Sequence, residues 1–238
     1  MPSVSTLPPL TVYSARICPW AQRTTLALRE TFAYRDGKVE HVEVDLQNKP
    51  ADYATRVNKA SKVPVLQIGK EGEPGTKFIP ESFVLLELVS ELFPESGLSP
   101  EDPVQRAEAR YFAERFNQVL PLNAILYQGE HDKVSAYLSG LDEIQSILER
   151  ISGPFLLGEK LTFGDLAVAP FVGRAFASAK AGLLPENLAQ ALLSDPKYAT
   201  FRAYHDTLVS RPSWKETFDE EYVIGFTKKR IEAARAAK

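Results

Sequence analysis

One cysteine, one methionine and three histidines in 238 residues leave little material for metal clusters or cross-links. His41, His131 and His205 lie far apart with no paired ligand spacing, so no metal site is expected. A lone cysteine excludes an intramolecular disulfide and suits a reducing compartment, which makes a cytoplasmic protein the expectation. No apolar run approaches the roughly 18 residues of a membrane-spanning helix. The opening stretch "MPSVSTLPPLTVYSA" has no basic start followed by a greasy segment, so no secretory signal is read there. Three glycine-built motifs are also missing: G-x-G-x-x-G, the P-loop and G-x-S-x-G. Nor is there an excess of positive charge. With 28 basic and 31 acidic residues the net charge is −3, and no nucleic-acid-binding surface is expected. The one basic cluster, Lys228-Lys229-Arg230, reads as a solvated helix end.

What is present is the composition of a soluble globular protein, 44% apolar and 25% charged, in two halves of different rhythm. In the first, Leu10–Ala15 reads as a strand, and Trp20–Ala33 carries Ala21, Thr25, Leu28 and Phe32 at helical spacing. Val39–Val44 alternates with period two, and "PADYATRVNKA" follows with Pro50 suited to a first helical position. Val63–Ile68 and Thr76–Ile79 flank a Gly/Pro-rich turn, Gly69–Gly75, and predict a hairpin. Glu81–Phe93 is a strongly apolar helix stopped by Pro94. The order β-α-β-α-β-β-α, with a right-handed crossover making the first two strands parallel, is the thioredoxin topology.

"PESGLSP", Pro94–Pro100, is a linker by composition, dividing an α/β domain over 1–94 from an all-α domain over 101–238, with 95–100 between them. Ser99, followed by Pro100 and by Asp102 three residues on, predicts a helix start. That helix is expected to run toward Gly129, bent at Pro121. Val134, Leu138, Leu141, Ile144, Leu148 and Ile151 form a second helical stripe, ended by Gly153-Pro154. Further helices are expected over Phe163–Ala181, Pro185–Leu193, Pro196–Ser210 and the tail after Pro212.

Cys18-Pro19-Trp20-Ala21 falls at the first strand-to-helix junction. Pro19 favours the first helical position, which puts Cys18 at or near the N-cap. A thiolate there faces unpaired backbone N–H groups and the positive end of the helix dipole. Such placement can bring a cysteine pKa from about 8.5 down to between roughly 3.5 and 7.5. Arg16 and Arg23 are near in sequence and could add to the effect. The fourth residue is Ala21, so the motif has no dithiol cycle and a partner thiol must come from a small molecule. Pro64 opens the third strand in "KVPVL"; a cis Val63–Pro64 bond would turn the Val63 backbone toward a peptide ligand. Glu81-Ser82 opens a helix, with Ser82 as cap; a carboxylate suits that N-terminus and an ammonium suits Glu81.

On these residues the chain resembles the glutathione transferases, and "CPWAQR" resembles the omega class and its close relatives. "LQNKP" (Leu46–Pro50), "VPVL" (Val63–Leu66) and Glu81-Ser82 follow in the family's order, and "LTFGDLAVAP" is similar to its folding signature, with Thr162 as N-cap and Asp165 in a structural role. The resemblance implies a thioredoxin-like N-terminal domain followed by an all-helical one. It implies Cys18 as catalytic nucleophile, Trp20 beside the tripeptide, and Lys49 at glutathione's glycyl end. Val63, before a cis Pro64, would pair with the cysteinyl backbone, and Glu81 and Ser82 would hold the γ-glutamyl group. Glutathione would be the co-substrate, without a metal, and small hydrophobic or aromatic electrophiles and adducts the other substrates. The helical domain would supply the second pocket, with Tyr111, Arg115, Tyr127, Phe171 and Tyr222 as candidates, and two copies would form a homodimer. Two departures stand out: "GKEGEPGTKF" lengthens the hairpin loop, and Trp20 replaces the commoner Phe, as in the longer glutathionyl-hydroquinone reductases.

The implied chemistry is thiol transfer or reduction: deglutathionylation of small adducts, including dehydroascorbate reduction, through a Cys18–glutathione mixed disulfide. A non-enzymatic reading stands beside it, either a carrier of aromatic ligands or a relative of the chloride intracellular channel proteins. The channel proteins share the Cys-Pro-aromatic motif but lack the Glu-Ser pair.

Overall fold

Leu10–Ser14 (β1) is buried along its whole length, as a strand flanked on both edges must be. Val39–Glu43 (β2) pairs with it in parallel, Leu10 opposite Val39 and Ser14 opposite Glu43. Val65–Ile68 (β3) runs antiparallel on the other edge of β1 and antiparallel to Lys77–Pro80 (β4), so the order is β2-β1-β3-β4. Between them lie α1 (Pro19–Glu30), the single-turn α2 (Tyr53–Arg56) and, after β4, α3 (Ser82–Leu92). This computed structural model describes residues 7–31, 33–34 and 37–236; Phe32, part of the expected α1 pattern, and residues 1–6 lie outside the described residues. The expected thioredoxin-like topology is the one observed.

β3 begins at Val65 rather than Val63, because Pro64 has no N–H to give a ladder. The Val63–Pro64 peptide bond is cis. The long loop after β3 is tied down: Arg56 of α2 donates to both carboxylate oxygens of Glu71 at 2.9 Å and, through Nε, to Asp52 at 2.9 Å. α1 is not amphipathic in the usual sense. Every residue from Ala21 to Leu28 is buried, including Gln22, Arg23, Thr24 and Thr25, because the helix is packed against both α3 and β1. Leu85, Leu86 and Val89 are the buried face of α3, each contributing about 1.5–3 kcal/mol of apolar burial.

The chain divides into two compact units, up to Ser99 and from Pro100. The second is helical: α4 (Pro103–Val119), α5 (Val134–Leu148), α6 (Phe163–Lys180), α7 (Glu186–Leu193), α8 (Ala199–Ser210), α9 (Pro212–Thr217) and α10 (Glu220–Ala236). Two expectations are corrected here. The cap of α4 is Asp102, whose Oδ1 accepts from the Val104 N–H at 3.0 Å with Pro103 in the first helical position; Ser99 lies outside the helix. α4 also stops at Val119 rather than bending through Pro121, and a five-residue π-helical turn, Ala124–Gln128, follows. In α5 the buried stripe runs through Val134, Tyr137, Leu141, Ile144 and Leu148, with Leu138 only half-buried and Ile151 beyond the helix end.

α6 is the axis of this unit. It is buried from Phe163 to Pro170 and again from Val172 to Ala179, as suits a helix that is apolar nearly all round. Its start carries the expected capping box. Thr162 N–H and Oγ1 donate to Asp165 Oδ2 at 2.8 and 2.9 Å, while Leu156 N–H and Tyr204 Oη donate to Oδ1 at 2.8 and 2.9 Å. Burial pushes the fully enclosed Asp165 carboxyl up in pKa, and the four donors act against it. The structural role expected of Asp165 is the one its contacts describe.

Candidate active site

Cys18 is the N-cap residue of α1, with extended backbone and Pro19 in the first turn, as expected. Its N–H donates to the Ala15 carbonyl at 2.9 Å, and its carbonyl accepts from Gln22 at 3.0 Å, closing the first turn beneath the sulfur. The side chain is half-buried against an apolar cluster that includes Tyr13, Ala15, Ala21, Tyr53, Val63 and Val65. The wall is thus greasy, and the helix N-terminus supplies the polar side. Trp20, two residues on, is 40% exposed, an unusual position for so large a ring.

Arg23 joins these residues to a distant helix. It is 2% exposed, its guanidinium carbon lies 4.5 Å from the centre of the Trp20 ring, and its Nη1 donates to Ser82 Oγ at 3.3 Å. Desolvation brings the guanidinium pKa down to about 10, and the charge of Cys18 opposes that shift. The sequence marks Arg23 only as a neighbour of Cys18. Arg16, the other neighbour, is exposed and engages Glu43, with its N–H 2.9 Å from Glu43 Oε1.

Ser82 differs from expectation in role. The cap of α3 is Glu81, not Ser82, which is the first residue of the helix. Glu81 holds φ 75° and ψ 109°, and its side chain is exposed, while the Ser82 hydroxyl is buried and taken by Arg23. Lys49 turns its ammonium to the Ser61 carbonyl at 2.6 Å. Ser61 stands two residues before Val63, itself buried next to Pro64. Tyr13, which lies near Cys18 in sequence, donates its hydroxyl to Gln67 Oε1 at 3.1 Å.

The five helical-unit candidates stand on different elements, α4, the Ala124–Gln128 turn, α6 and α10. Tyr111 is 64% exposed on α4. One turn on, Arg115 is clamped to Glu143 of α5, Nε and Nη2 donating at 2.5 and 2.7 Å, and so cross-links two helices. Tyr127 has its hydroxyl 3.4 Å from Thr227 Oγ1, with Arg230 over its ring at 4.3 Å. Phe171 is half-buried on α6 and Tyr222 is exposed on α10. A cavity of about 350 Å³ does lie within this unit, lined by Trp214, Phe218, His205 and Lys180 among others, and none of the five candidates borders it.

Two family models cover most of the chain: the glutathione S-transferase N-terminal domain matches residues 12–97 and the C-terminal domain residues 105–207. The chain belongs to the glutathione S-transferase family. Among solved structures, glutathione transferase Omega 2C from Trametes versicolor is 36% identical with a TM-score of 0.84, over 94% of this chain and 99% of that one. Omega 2S of the same fungus, in complex with 2,4-dihydroxybenzophenone, is 28% identical with a TM-score of 0.77, covering 96% and 98%. Pyrimidodiazepine synthase of Drosophila melanogaster is 31% identical over 175 residues, 73% of this chain and 68% of its own length. The omega-class resemblance therefore spans both domains of the transferase, over 94% of the chain in the Omega 2C match, and the family's co-substrate is glutathione. Among the described residues no group of three or more His, Cys, Asp or Glu could hold a metal, and no helix is long and apolar enough to cross a membrane.

Proposed function

We propose that this transferase is a cysteine-type thiol transferase or reductase working through Cys18. The observation that carries the reading is the placement of the only cysteine at the N-cap of α1, the helix whose Arg23 donates to Ser82 on α3. A glutathione would lie with its γ-glutamyl end at Glu81 and Ser82, its cysteinyl backbone along Val63 before Pro64, its glycyl end toward Lys49 and its flank against Trp20. Three features fit that donor set: the exposed Glu81 carboxylate, the exposed Trp20 face, and the apolar wall at Cys18.

The Cys18 thiolate attacks the sulfur of a glutathionyl adduct. The new S–S bond forms as the bond from that sulfur to the acceptor carbon breaks; with an S-phenacyl adduct the electron pair leaves as an enolate, which takes a proton to give the ketone. A second glutathione, as thiolate, attacks the mixed disulfide, releases oxidised glutathione and returns the Cys18 thiolate. The acceptor carbon is reduced by two electrons and two thiol equivalents are oxidised. A small mixed disulfide enters the same cycle with its S–S bond breaking and a thiolate leaving; dehydroascorbate enters once glutathione has added to its carbonyl as a thiohemiketal, whose C–S bond then breaks to release ascorbate. Tyr111, Arg115, Tyr127, Phe171 and Tyr222 remain the proposed second-substrate residues, with a cytoplasmic homodimer as the working form. The aromatic ketone bound by the fungal relative favours aryl and phenacyl adducts as first substrates to screen.

Cys18→Ser should abolish turnover of S-phenacylglutathione while leaving conjugation of glutathione to an aryl halide at or above its wild-type rate. Survival of the reductase turnover in that variant would sink the mechanism. If binding of a dihydroxybenzophenone is strong but no adduct turns over, the carrier reading takes its place.

A further inference from the structure

We propose that the cavity between α6, α8 and α9 is a binding site for a small aromatic hydroxyl compound, a one- or two-ring phenol whose O–H donates to His205 Nε2. This goes beyond the reading of Cys18 and does not rest on it. The cavity lies wholly within the helical unit and holds about 350 Å³, at the small end of the roughly 300–1,000 Å³ usual for ligand pockets. Its room comes from small residues. α6 presents Gly173 and Ala177 to it, and the Trp214 ring of α9 lies so close over Gly173 that an added Cβ would stand 2.1 Å from the ring. Phe218, its ring centre 4.6 Å from that of Trp214 and tilted 34° to it, continues the aromatic wall. Gly173, Ala177, Trp214 and His205 are buried, whereas the charged residues at the cavity, Lys180, Lys215 and Glu220, are exposed. Charge therefore stands at the mouth, with rings and small residues inside.

His205 is the polar group of the inner wall. Its side chain is 5% exposed, one ring face stacks on Phe176 at 3.8 Å between centres and 16° between planes, and Nδ1 lies 2.8 Å from Asp206 Oδ1. An exposed carboxylate only accepts, so Nδ1 carries the hydrogen and donates it; in the neutral ring Nε2 is left with a lone pair. Burial lowers the imidazole pKa; Asp206 and Glu220 act against that shift and Lys180 acts with it, which leaves the ring neutral above pH 7. Among the described residues Nε2 has no hydrogen-bond partner, yet it is not sealed off as the unpartnered Thr24 Oγ1 and Tyr34 Oη are. With one face on Phe176 and Nδ1 on Asp206, the ring borders the cavity by its other face and its Nε2 edge. A buried acceptor without a donor is a cost that a ligand hydroxyl removes. An aryl carboxylate has no hydrogen to give such a nitrogen, so the wall selects a hydroxyl.

The test is calorimetric titration of the full-length protein, at about pH 7.5, with 2-naphthol and with 2-methoxynaphthalene, which keeps the rings and lacks the O–H. The wild type should bind the naphthol about tenfold more tightly, as one hydrogen bond to a buried acceptor allows. His205→Phe keeps the stack on Phe176 and removes Nε2, and it should erase that preference. Ala177→Leu fills the cavity and should weaken naphthol binding by at least about tenfold. A wild type that binds the two compounds equally, or binds neither, overturns the proposal. So does a preference that survives in His205→Phe, or naphthol binding unchanged in an Ala177→Leu protein that melts like the wild type, since the ligand then sits elsewhere. If the Leu variant does not fold, the comparison of wild type with His205→Phe decides. None of these titrations involves Cys18, so their failure and the failure of the thiol-transfer reading are separate results.

Discussion

At Glu81 a side chain with a Cβ holds φ 75°, in the half of conformational space that favours glycine. Such a residue is kept there against a strain of about 1–3 kcal/mol, and it is one at which the resemblance expects ligand binding. Glu81→Gly removes the Cβ clash, while glycine's larger unfolded-state freedom takes back part of the gain. The variant should melt higher by a few degrees, about 1 kcal/mol, and at the same time be retained less well on immobilised glutathione. A variant that melts lower would show that the conformation carries no strain. The same residue explains a misreading. Serine is a preferred cap, so "ES" reads as Glu followed by a capping Ser; a left-handed Glu moves the cap back by one and frees the Ser82 hydroxyl for Arg23. Arg23 itself is hard to read because arginine in a helix ordinarily marks the solvent face, and only the packing of α1 against both α3 and β1 turns that position inward.

Elements are legible where local chemistry speaks with one voice. Cys18-Pro19 marks the start of α1 because proline suits the first turn and nothing nearby competes. Ahead of α4 two cap signals stand one turn apart, Ser99-Pro100 and Asp102-Pro103, and composition does not rank them; the Asp102 bond to Val104 does. "LTFGDLAVAP" is unambiguous, since Thr162 and Asp165 have the spacing of a capping box and an apolar helix follows. The consequence at this scale is that one carboxylate organises the entry of α6, collecting the Leu156 loop, the cap and Tyr204 of α8. Asp165→Ala strands four buried donors, and a loss of about 3 kcal/mol or more is expected. The urea midpoint followed by circular dichroism should fall accordingly, while Asp165→Asn, which keeps shape but not charge, should fall less. Equal midpoints for Asp165→Ala and the wild type would remove the carboxylate from its organising role.

For the whole molecule, the thioredoxin-like order and the helical second half are readable because each strand and helix carries its own period and its own stops. The surroundings of the second-substrate candidates are not. Exposure and cross-links at Tyr111, Arg115, Tyr127 and Tyr222 arise from tertiary packing, which a pattern of aromatic residues does not encode. One consequence of that two-unit plan is optical. The chain has two tryptophans, and they are divided between the units: Trp20, 40% exposed beside Cys18, and Trp214, 6% exposed in the helical half. Emission is therefore a two-channel signal, with a red-shifted component that acrylamide reaches first and a blue component that it reaches last. Alkylating Cys18 should dim the first channel and leave the second unchanged, so that chemistry in one unit and unfolding of the other can be followed in the same cuvette without a label.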